Sequence, residues 1–375
     1  MAMETPRLLL DPVRMARNIA GMAGRLRRLG VPLRPHVKTA KSIPVIRRML
    51  DGQPGGVTVS TLREAEACLE AGIQDITYAV GIAPNKLAHA AALMARGARL
   101  TLLLESADQA RMLADHGAAH GVVFEALIEI DVDGHRAGVL PDDPKLINIG
   151  RALHESPQTR LGGVLTHAGG SYNCRGADAI RAMAEQERAR MVAAAAALRA
   201  AGLPCPEVSV GSTPTATFAE RLDGVTEVRA GVYVFQDLVQ AGLGVCAIED
   251  IAISVLATVI GHQTARGWLI LDAGWMAMSR DRGTAHQAVD QGYGLLCDAA
   301  GRPLRDDMIV IDANQEHGIA ARRDGAPFDS AAYPLGAQLR ILPNHACATA
   351  GQFDSLIVLA PDGGIAETWP RFNGW

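Results

Sequence analysis

The chain has 375 residues, 49% of them hydrophobic, with 36 Lys and Arg against 40 Asp and Glu for a net charge of −4. That balance excludes a strongly basic nucleic-acid binder and offers no charged face for a membrane surface. The length suits one barrel with an appendage, or two domains.

No apolar run reaches the length of a membrane-spanning helix. The start, Met1-Ala2-Met3-Glu4-Thr5-Pro6, lacks the basic-then-apolar pattern of a signal peptide. Six cysteines, at positions 68, 174, 205, 246, 297 and 347, are scattered without short pairing. Free thiols in a reducing cytoplasm fit that spacing better than a disulfide framework.

Taken in order, Leu8 to Leu10 reads as a short strand ended by Asp11-Pro12, an N-cap followed by a first-turn proline. A helix to about Leu29 follows, with Ile19, Met22, Leu26 and Leu29 on one face. Eight strand-like segments then alternate with helix-like ones: Val31 to His36, Gly56 to Ser60, Asp75 to Val80, Ala98 to Leu104, Val122 to Asp131, Leu161 to His167, Glu207 to Gly211, and Glu227 to Phe235. The pattern predicts right-handed crossovers, a parallel sheet and a closed (β/α)8 barrel of the TIM type. A doubly wound open sheet is the alternative, but no G-x-G-x-x-G follows the first strand. Past Leu243 the strand-like segments Ile251 to Ile260, Trp268 to Asp272, Met308 to Ala313, Gln338 to Leu342 and Ser355 to Leu359 have no long helices between them. The expected organisation is a barrel over 11–242, with 1–10 and 243–375 forming an antiparallel β domain.

In such a barrel, function sits where strands end. The stretch Leu33-Arg34-Pro35-His36-Val37-Lys38 delivers one lysine to a strand tip. There an amine can form an imine with an aldehyde cofactor and shuttle protons; an exposed lysine after a strand is the competing reading. Other strand ends bring His167 with Tyr172, then Gly211-Ser212-Thr213, then Arg229 with Gly231, Val232 and Tyr233. A glycine with two hydroxyls before a helix start can bind phosphate, although many N-caps look alike. Arg136 follows an acidic strand end, Glu129 to Asp133, where a surface ion pair is the competing reading. Near the C-terminus, Pro343-Asn344-His345-Ala346-Cys347 places an imidazole and a thiol two residues apart. In an extended segment they share a face, and that pair suits Zn²⁺ with positions left open. A buried cysteine beside a core histidine is the competing reading.

The R-P-H-x-K segment and the late His-x-Cys together resemble the fold-type III pyridoxal-phosphate enzymes with an alanine-racemase-like barrel. Within that family the resemblance is nearest to the D-serine dehydratase, D-threo-3-hydroxyaspartate dehydratase and D-threonine aldolase branch, and it covers nearly the whole chain. It implies that Lys38 carries pyridoxal 5'-phosphate. It places the cofactor phosphate at Thr213, Gly231 and Val232 with Tyr172 near it, and implies that His167, Ser212 and Tyr233 also belong to the cofactor site. Arg136 resembles the family arginine beside the cofactor's phenolic oxygen, and Arg229 the racemase arginine that faces the pyridine nitrogen. His345 and Cys347 look like the branch's metal site, for Zn²⁺ with Mn²⁺ or another divalent ion as alternative.

The implied protein is a homodimeric, cytoplasmic dehydratase of a small D-3-hydroxy amino acid, such as D-threo-3-hydroxyaspartate or D-serine, with neither nucleic acid nor membrane as partner. The alternatives are a metal-dependent D-threonine or 3-hydroxyaspartate aldolase giving glycine, a non-catalytic pyridoxal-phosphate-binding protein, and a racemase. Aldolases of the branch tend to carry His-x-Asp.

Overall fold

The computed structural model describes residues 3–134 and 136–375. Met1 and Ala2, which begin both the segment read for a signal pattern and the 1–10 segment, lie outside the described residues. The chain divides into two compact units, Ala20–Gly231 with Gly374–Trp375, and Met1–Ile19 with Val232–Asn373.

The first strand, β1 (Arg7–Leu10), leads into helix α1 (Pro12–Arg28). Asp11 Oδ1 accepts the backbone N–H of Val13 and of Arg14, both at 3.0 Å. Such a cap is worth about 1 kcal/mol. Met15, Ile19, Met22 and Leu26 are buried at helical spacing, as the periodicity predicts.

The next elements alternate throughout: β2 (Leu33–Pro35), α2 (Ile43–Leu50), β3 (Val57–Val59), α3 (Leu62–Glu70), β4 (Asp75–Gly81), α4 (Leu87–Ala95), β5 (Arg99–Leu104), α5 (Ala107–His120), β6 (Phe124–Glu129), α6 (Lys145–His154), β7 (Thr159–Leu165), α7 (Ala177–Ala200), β8 (Glu207–Val210), α8 (Thr213–Phe218) and β9 (Glu227–Ala230). Among the described residues, β2 to β9 form one parallel sheet in the order β2-β9-β8-β7-β6-β5-β4-β3. A bridge between His36 and Thr58 joins its two edges, making a nearly closed eight-stranded barrel. The alternation of strand and helix forces this result, because parallel neighbours need crossovers and helices cover the outer face.

The strand-start end of the barrel holds an ionic knot. Arg34 donates from Nε to Glu227 Oε2 at 2.6 Å and from Nη1 to Asp75 Oδ1 at 2.7 Å. Burial and the neighbouring Glu227 raise the Glu207 carboxyl well above the usual carboxylate range. That end of a barrel reads as stability rather than chemistry.

The second unit comprises α9 (Leu238–Gly242), β10 (Ile253–Gln263), β11 (Trp268–Leu271), α10 (Trp275–Met278), β12 (Gly294–Cys297), β13 (Met308–Ala313), β14 (Gly318–Arg322), β15 (Gln338–Pro343), α11 (Ala346–Ala350), β16 (Ser355–Leu359) and β17 (Ile365–Pro370). Its sheet runs β11-β14-β13-β12-β15-β10-β1-β16-β17, and β11 also pairs with β10. Six strands thus close on themselves, while β1, β16 and β17 extend from β10. All pairs are antiparallel except β1 with β16. β1 therefore belongs to this sheet, in register Arg7↔Leu256 to Leu10↔Ile253. β12, β14 and β17 escape the sequence reading, since they are short or, like β17, mostly exposed, and show little apolar alternation.

Two further expectations need correction. The strand read as Glu227 to Phe235 stops at Ala230, and Val232–Val234 curls into a 3-10 turn with Gln236 N–H on the Val232 carbonyl at 2.8 Å. The segment around His345 is not extended throughout. His345 is the last extended residue and Cys347 already lies in the first turn of α11, where Ala-Cys-Ala-Thr-Ala favours helix. Among the described residues no helix is long and apolar enough to cross a membrane.

Candidate active site

Lys38 sits half-buried in the turn that follows β2. The backbone on the way to it is fixed on both sides: His36 N–H donates to the Ala230 carbonyl at 2.8 Å, and Val37 N–H to the Thr58 carbonyl at 2.9 Å. His36 Nδ1 accepts the Lys38 N–H at 3.4 Å, and its Nε2 lies 3.3 Å from Ser60 Oγ. That pairing assigns the ring proton to Nε2, with Ser60 as acceptor. Three residues on, Lys41 takes a left-handed backbone (φ 41°) and its ammonium meets Glu64 Oε1 at 3.2 Å. Glu64 is fully buried on α3, and its other oxygen accepts the Ser60 N–H at 2.7 Å. One buried carboxylate thus ties the end of β3 to the lysine-bearing turn.

The β7, β8 and β9 ends face the same mouth. His167 Nδ1 donates to the Gly211 carbonyl at 3.1 Å, and the Tyr172 ring lies 6.3 Å from the His167 ring. Gly211 has φ +139°, and a Cβ there would come 2.0 Å from the Arg229 carbonyl, so the position requires glycine. Ser212 Oγ pairs with Ser171 Oγ at 2.9 Å and accepts the Thr215 N–H at 3.2 Å. The Thr213 hydroxyl is buried with no hydrogen-bond partner among the described residues, as is the hydroxyl of Tyr233, which follows Val232 at the opening of the second unit. A Cβ on Gly231 would sit 2.9 Å from the His36 carbonyl. Arg229 is buried, with Nη1 donating to Ser209 Oγ at 2.6 Å and Nη2 to the Thr166 carbonyl. Ser209 in turn donates to Glu227 Oε1 at 2.6 Å. A polar chain therefore runs from Arg229 at the mouth to the ionic knot below. Arg136 is half exposed, 3.9 Å from the buried Glu129.

The electrostatics follow from this packing. Burial, then the charge of Lys38, holds His36 well below the ordinary imidazole range, with Arg229 and Arg136 adding to it. Burial, Lys38 and Arg136 push His167 down to about 3. Both rings are therefore neutral beside three cations, which gives the mouth a field that attracts anions. An unpartnered buried hydroxyl at Thr213, a lysine at a strand tip and this cationic field fit an aldehyde cofactor bearing a phosphate. Lys38, Arg136, His167, Tyr172, Ser212, Thr213, Arg229 and Gly231 lie in one unit; Val232 and Tyr233 begin the other.

The second unit builds a separate pair. Asn344 is buried, accepts Thr284 N–H and Oγ at 2.9 and 2.8 Å, and donates to the Gly292 carbonyl at 2.7 Å. Ala346 N–H donates to Asp237 Oδ2 at 2.9 Å. These bonds fix the residues on either side of His345, whose Nδ1 lies 2.6 Å from Asp281 Oδ2. Burial alone would lower the His345 pKa, but Cys347 and Asp281, both hydrogen-bonded to the ring, push it up to about 11. The His345 contact keeps the Asp281 carboxyl below its usual range. An imidazole oriented by a carboxylate on Nδ1 and close to a thiol fits a soft divalent metal. Among the described residues no third His, Cys, Asp or Glu completes a cluster with them.

Asp281, Glu64 and Glu187 were not among the residues read from sequence. Asp281 has no local signal. Glu64 could be found as the fourth residue of Thr61-Leu-Arg-Glu64, a capping-box spacing, and Glu187 as an acid on an apolar helical stripe.

The family model described as alanine racemase, N-terminal domain, matches residues 10–238, and that of the putative serine dehydratase domain matches residues 252–359. The chain is 57% identical over 378 residues to D-threo-3-hydroxyaspartate dehydratase of Delftia sp. (strain HT23), covering 100% of this chain and 99% of that one. It is 29% identical to D-serine dehydratase of Dictyostelium discoideum over 98% of this chain and 96% of that one. A solved structure of D-threo-3-hydroxyaspartate dehydratase, a cysteine-to-alanine mutant in the metal-free form, superposes with a TM-score of 0.97 at 57% identity, covering 100% and 98% of the two chains. The chain belongs to the pyridoxal-phosphate-dependent fold-type III family, with an alanine racemase N-terminal domain followed by a serine dehydratase domain.

Proposed function

We propose that this chain is a dehydratase of D-configured 3-hydroxy amino acids, acting on D-threo-3-hydroxyaspartate or D-serine with pyridoxal 5'-phosphate and zinc. The observation that carries the reading is the imidazole of His345, whose Nδ1–H donates to Asp281 Oδ2 and which is also bonded to Cys347, in a chain that offers Lys38 at a barrel strand tip. The dehydratase relatives support it along the whole length.

When bound, pyridoxal phosphate supplies an electron sink for the pair left as the substrate loses its α-proton. Lys38 would hold the cofactor, and its amine, once released by the substrate amino group, takes that proton. Thr213 and Ser212 would bind the phosphate, with Gly231, Val232 and Tyr233 beside it. Neutral His36 and His167 hold the lysine turn and the β8 loop without adding charge. Arg229 stays cationic and gives up no proton, so departure of the 3-hydroxyl needs help from elsewhere. His345 and Cys347 would hold the metal, zinc by the softness of the thiolate, whose chemistry is Lewis-acid polarisation of that hydroxyl. The C3–O bond breaks, water leaves, and hydrolysis of the enamine gives a 2-oxo acid and ammonia. D-threo-3-hydroxyaspartate yields oxaloacetate; D-serine yields pyruvate. Assembly as a homodimer is part of this proposal, and sedimentation showing a fully active monomer would overturn that part.

The test is turnover of D-serine, D-threonine and D-threo-3-hydroxyaspartate with both 2-oxo acid and glycine quantified. The expected products are 2-oxo acid and ammonia in equal amounts. Glycine as the main product would make the chain an aldolase, and bound cofactor without turnover would make it a carrier.

A further inference from the structure

Helix α7 turns an apolar stripe toward its own unit: Ile180, Ala184, Met191, Ala194 and Leu198 are buried at helical spacing. Glu187 lies on that stripe and is 2% exposed. An ionised carboxylate in such a place is unfavourable unless its oxygens are filled by donors. Burial pushes the Glu187 carboxyl above the usual carboxylate range, and neighbours counter it: Gly211 N–H donates to Glu187 Oε1 at 2.9 Å, with the Ala168 backbone and the Thr215 side chain also bonded to the carboxyl. Two of the donors come from consecutive strand-end loops, one after β7 and one after β8. The third, Thr215, also accepts the Ser212 N–H at 3.1 Å. Gly211 adopts a backbone open only to glycine, and Ser212 is tied to Ser171 and Thr215. Between these fixed points the buried Thr213 hydroxyl has no hydrogen-bond partner among the described residues.

We propose that Glu187 is a positioning residue for the cofactor phosphate: it clamps the Ala168 and Gly211–Thr215 loops together so that the Thr213 hydroxyl is held ready for a phosphate oxygen. The inference rests on the reading of the barrel mouth as the pyridoxal-phosphate site. It goes beyond that reading by assigning a function to a side chain that never touches the cofactor. A residue that only stabilised the fold would weaken every ligand of the mouth alike, whereas a phosphate-loop clamp affects only ligands that carry phosphate.

The experiment titrates the full-length apo-protein with pyridoxal 5'-phosphate and, separately, with pyridoxal, following the visible absorbance of the bound aldehyde. The wild type should prefer the phosphorylated form. Glu187→Gln keeps the shape but presents an amide group to backbone donors, so its affinity for pyridoxal phosphate should fall roughly 10- to 100-fold, the scale of lost supporting contacts around a bound group. Its affinity for pyridoxal should stay within about twofold, on the same argument. Glu187→Asp, which keeps the charge but is one methylene short, should show a smaller loss with the same selectivity, and it serves if the glutamine variant does not fold. In a Thr213→Ala background, Glu187→Asp should add no further loss, because the two residues act through one contact. Equal loss of both ligands, or no loss of either, overturns the inference. A wild type without preference for the phosphorylated form overturns the reading beneath it, and the inference with it.

Discussion

At the barrel mouth the segments beside Lys38 are fixed through their main-chain N–H groups: His36 on the Ala230 carbonyl, Val37 on the Thr58 carbonyl, Ser60 on the buried Glu64 carboxylate. In the β domain, His345 and Cys347 sit at the start of a five-residue helix, and the group that orients the imidazole is Asp281, with 39% of its side chain exposed. Strand ends inherit the rigidity of the sheet, so a cofactor anchored there keeps its place when surrounding side chains change. A pair at the start of a short helix, its imidazole oriented by one carboxylate, depends on single side chains. The same barrel can therefore serve different reactions when the later pair changes, which matches relatives named as a dehydratase and an aldolase.

That contrast can be broken first at Lys38. Lys38→Ala should lower turnover by at least about 10³-fold, since cofactor anchor and base go together. Borohydride treatment of the wild type should fix the cofactor on the Lys38 peptide, and label on another lysine would contradict the assignment. Cys347→Ala should cost at least about 100-fold in rate and remove the metal, while the cofactor's visible absorbance persists; metal analysis and spectra on one sample check both. Glu64→Gln leaves Lys41 without its buried partner and should lower stability by about 3 kcal/mol, read by denaturant unfolding. A change under 1 kcal/mol would mean that the Lys41 turn does not need the pair.

The smallest effect concerns pH. Burial and the charges of Lys38 and Arg136 depress His167 in the folded state, so the unfolded chain binds the extra proton first. Its contribution to stability is constant above the ordinary imidazole pKa and is lost as pH falls from about 6.5 toward about 3. His167→Asn should make the acid-side decline in thermal midpoint shallower and leave the slope above pH 7 unchanged.

The barrel was legible because its strands are apolar runs separated by amphipathic helices, so type and order survive errors of a few residues at the ends. The positions of Lys38 and Thr213 just past strand ends were legible because the strands themselves were. The geometry at His345 was not: spacing two residues apart suggested an extended segment, whereas the alanines after it turn the chain into α11. Asp281 stays invisible at 64 residues from His345, since no periodicity links a loop carboxylate to a distant imidazole. Glu187 left a signal, an acid on an apolar stripe, but only the donors at Gly211 and Ala168 give that signal a meaning.

The most direct measurement treats the purified protein with a chelator, confirms that the metal is gone and the visible absorbance remains, and assays D-threo-3-hydroxyaspartate before and after zinc is restored. The account predicts that elimination to oxaloacetate falls by at least about 100-fold on chelation and returns with zinc. Full-speed turnover by the metal-free protein would contradict it and return His345 and Cys347 to ordinary packing.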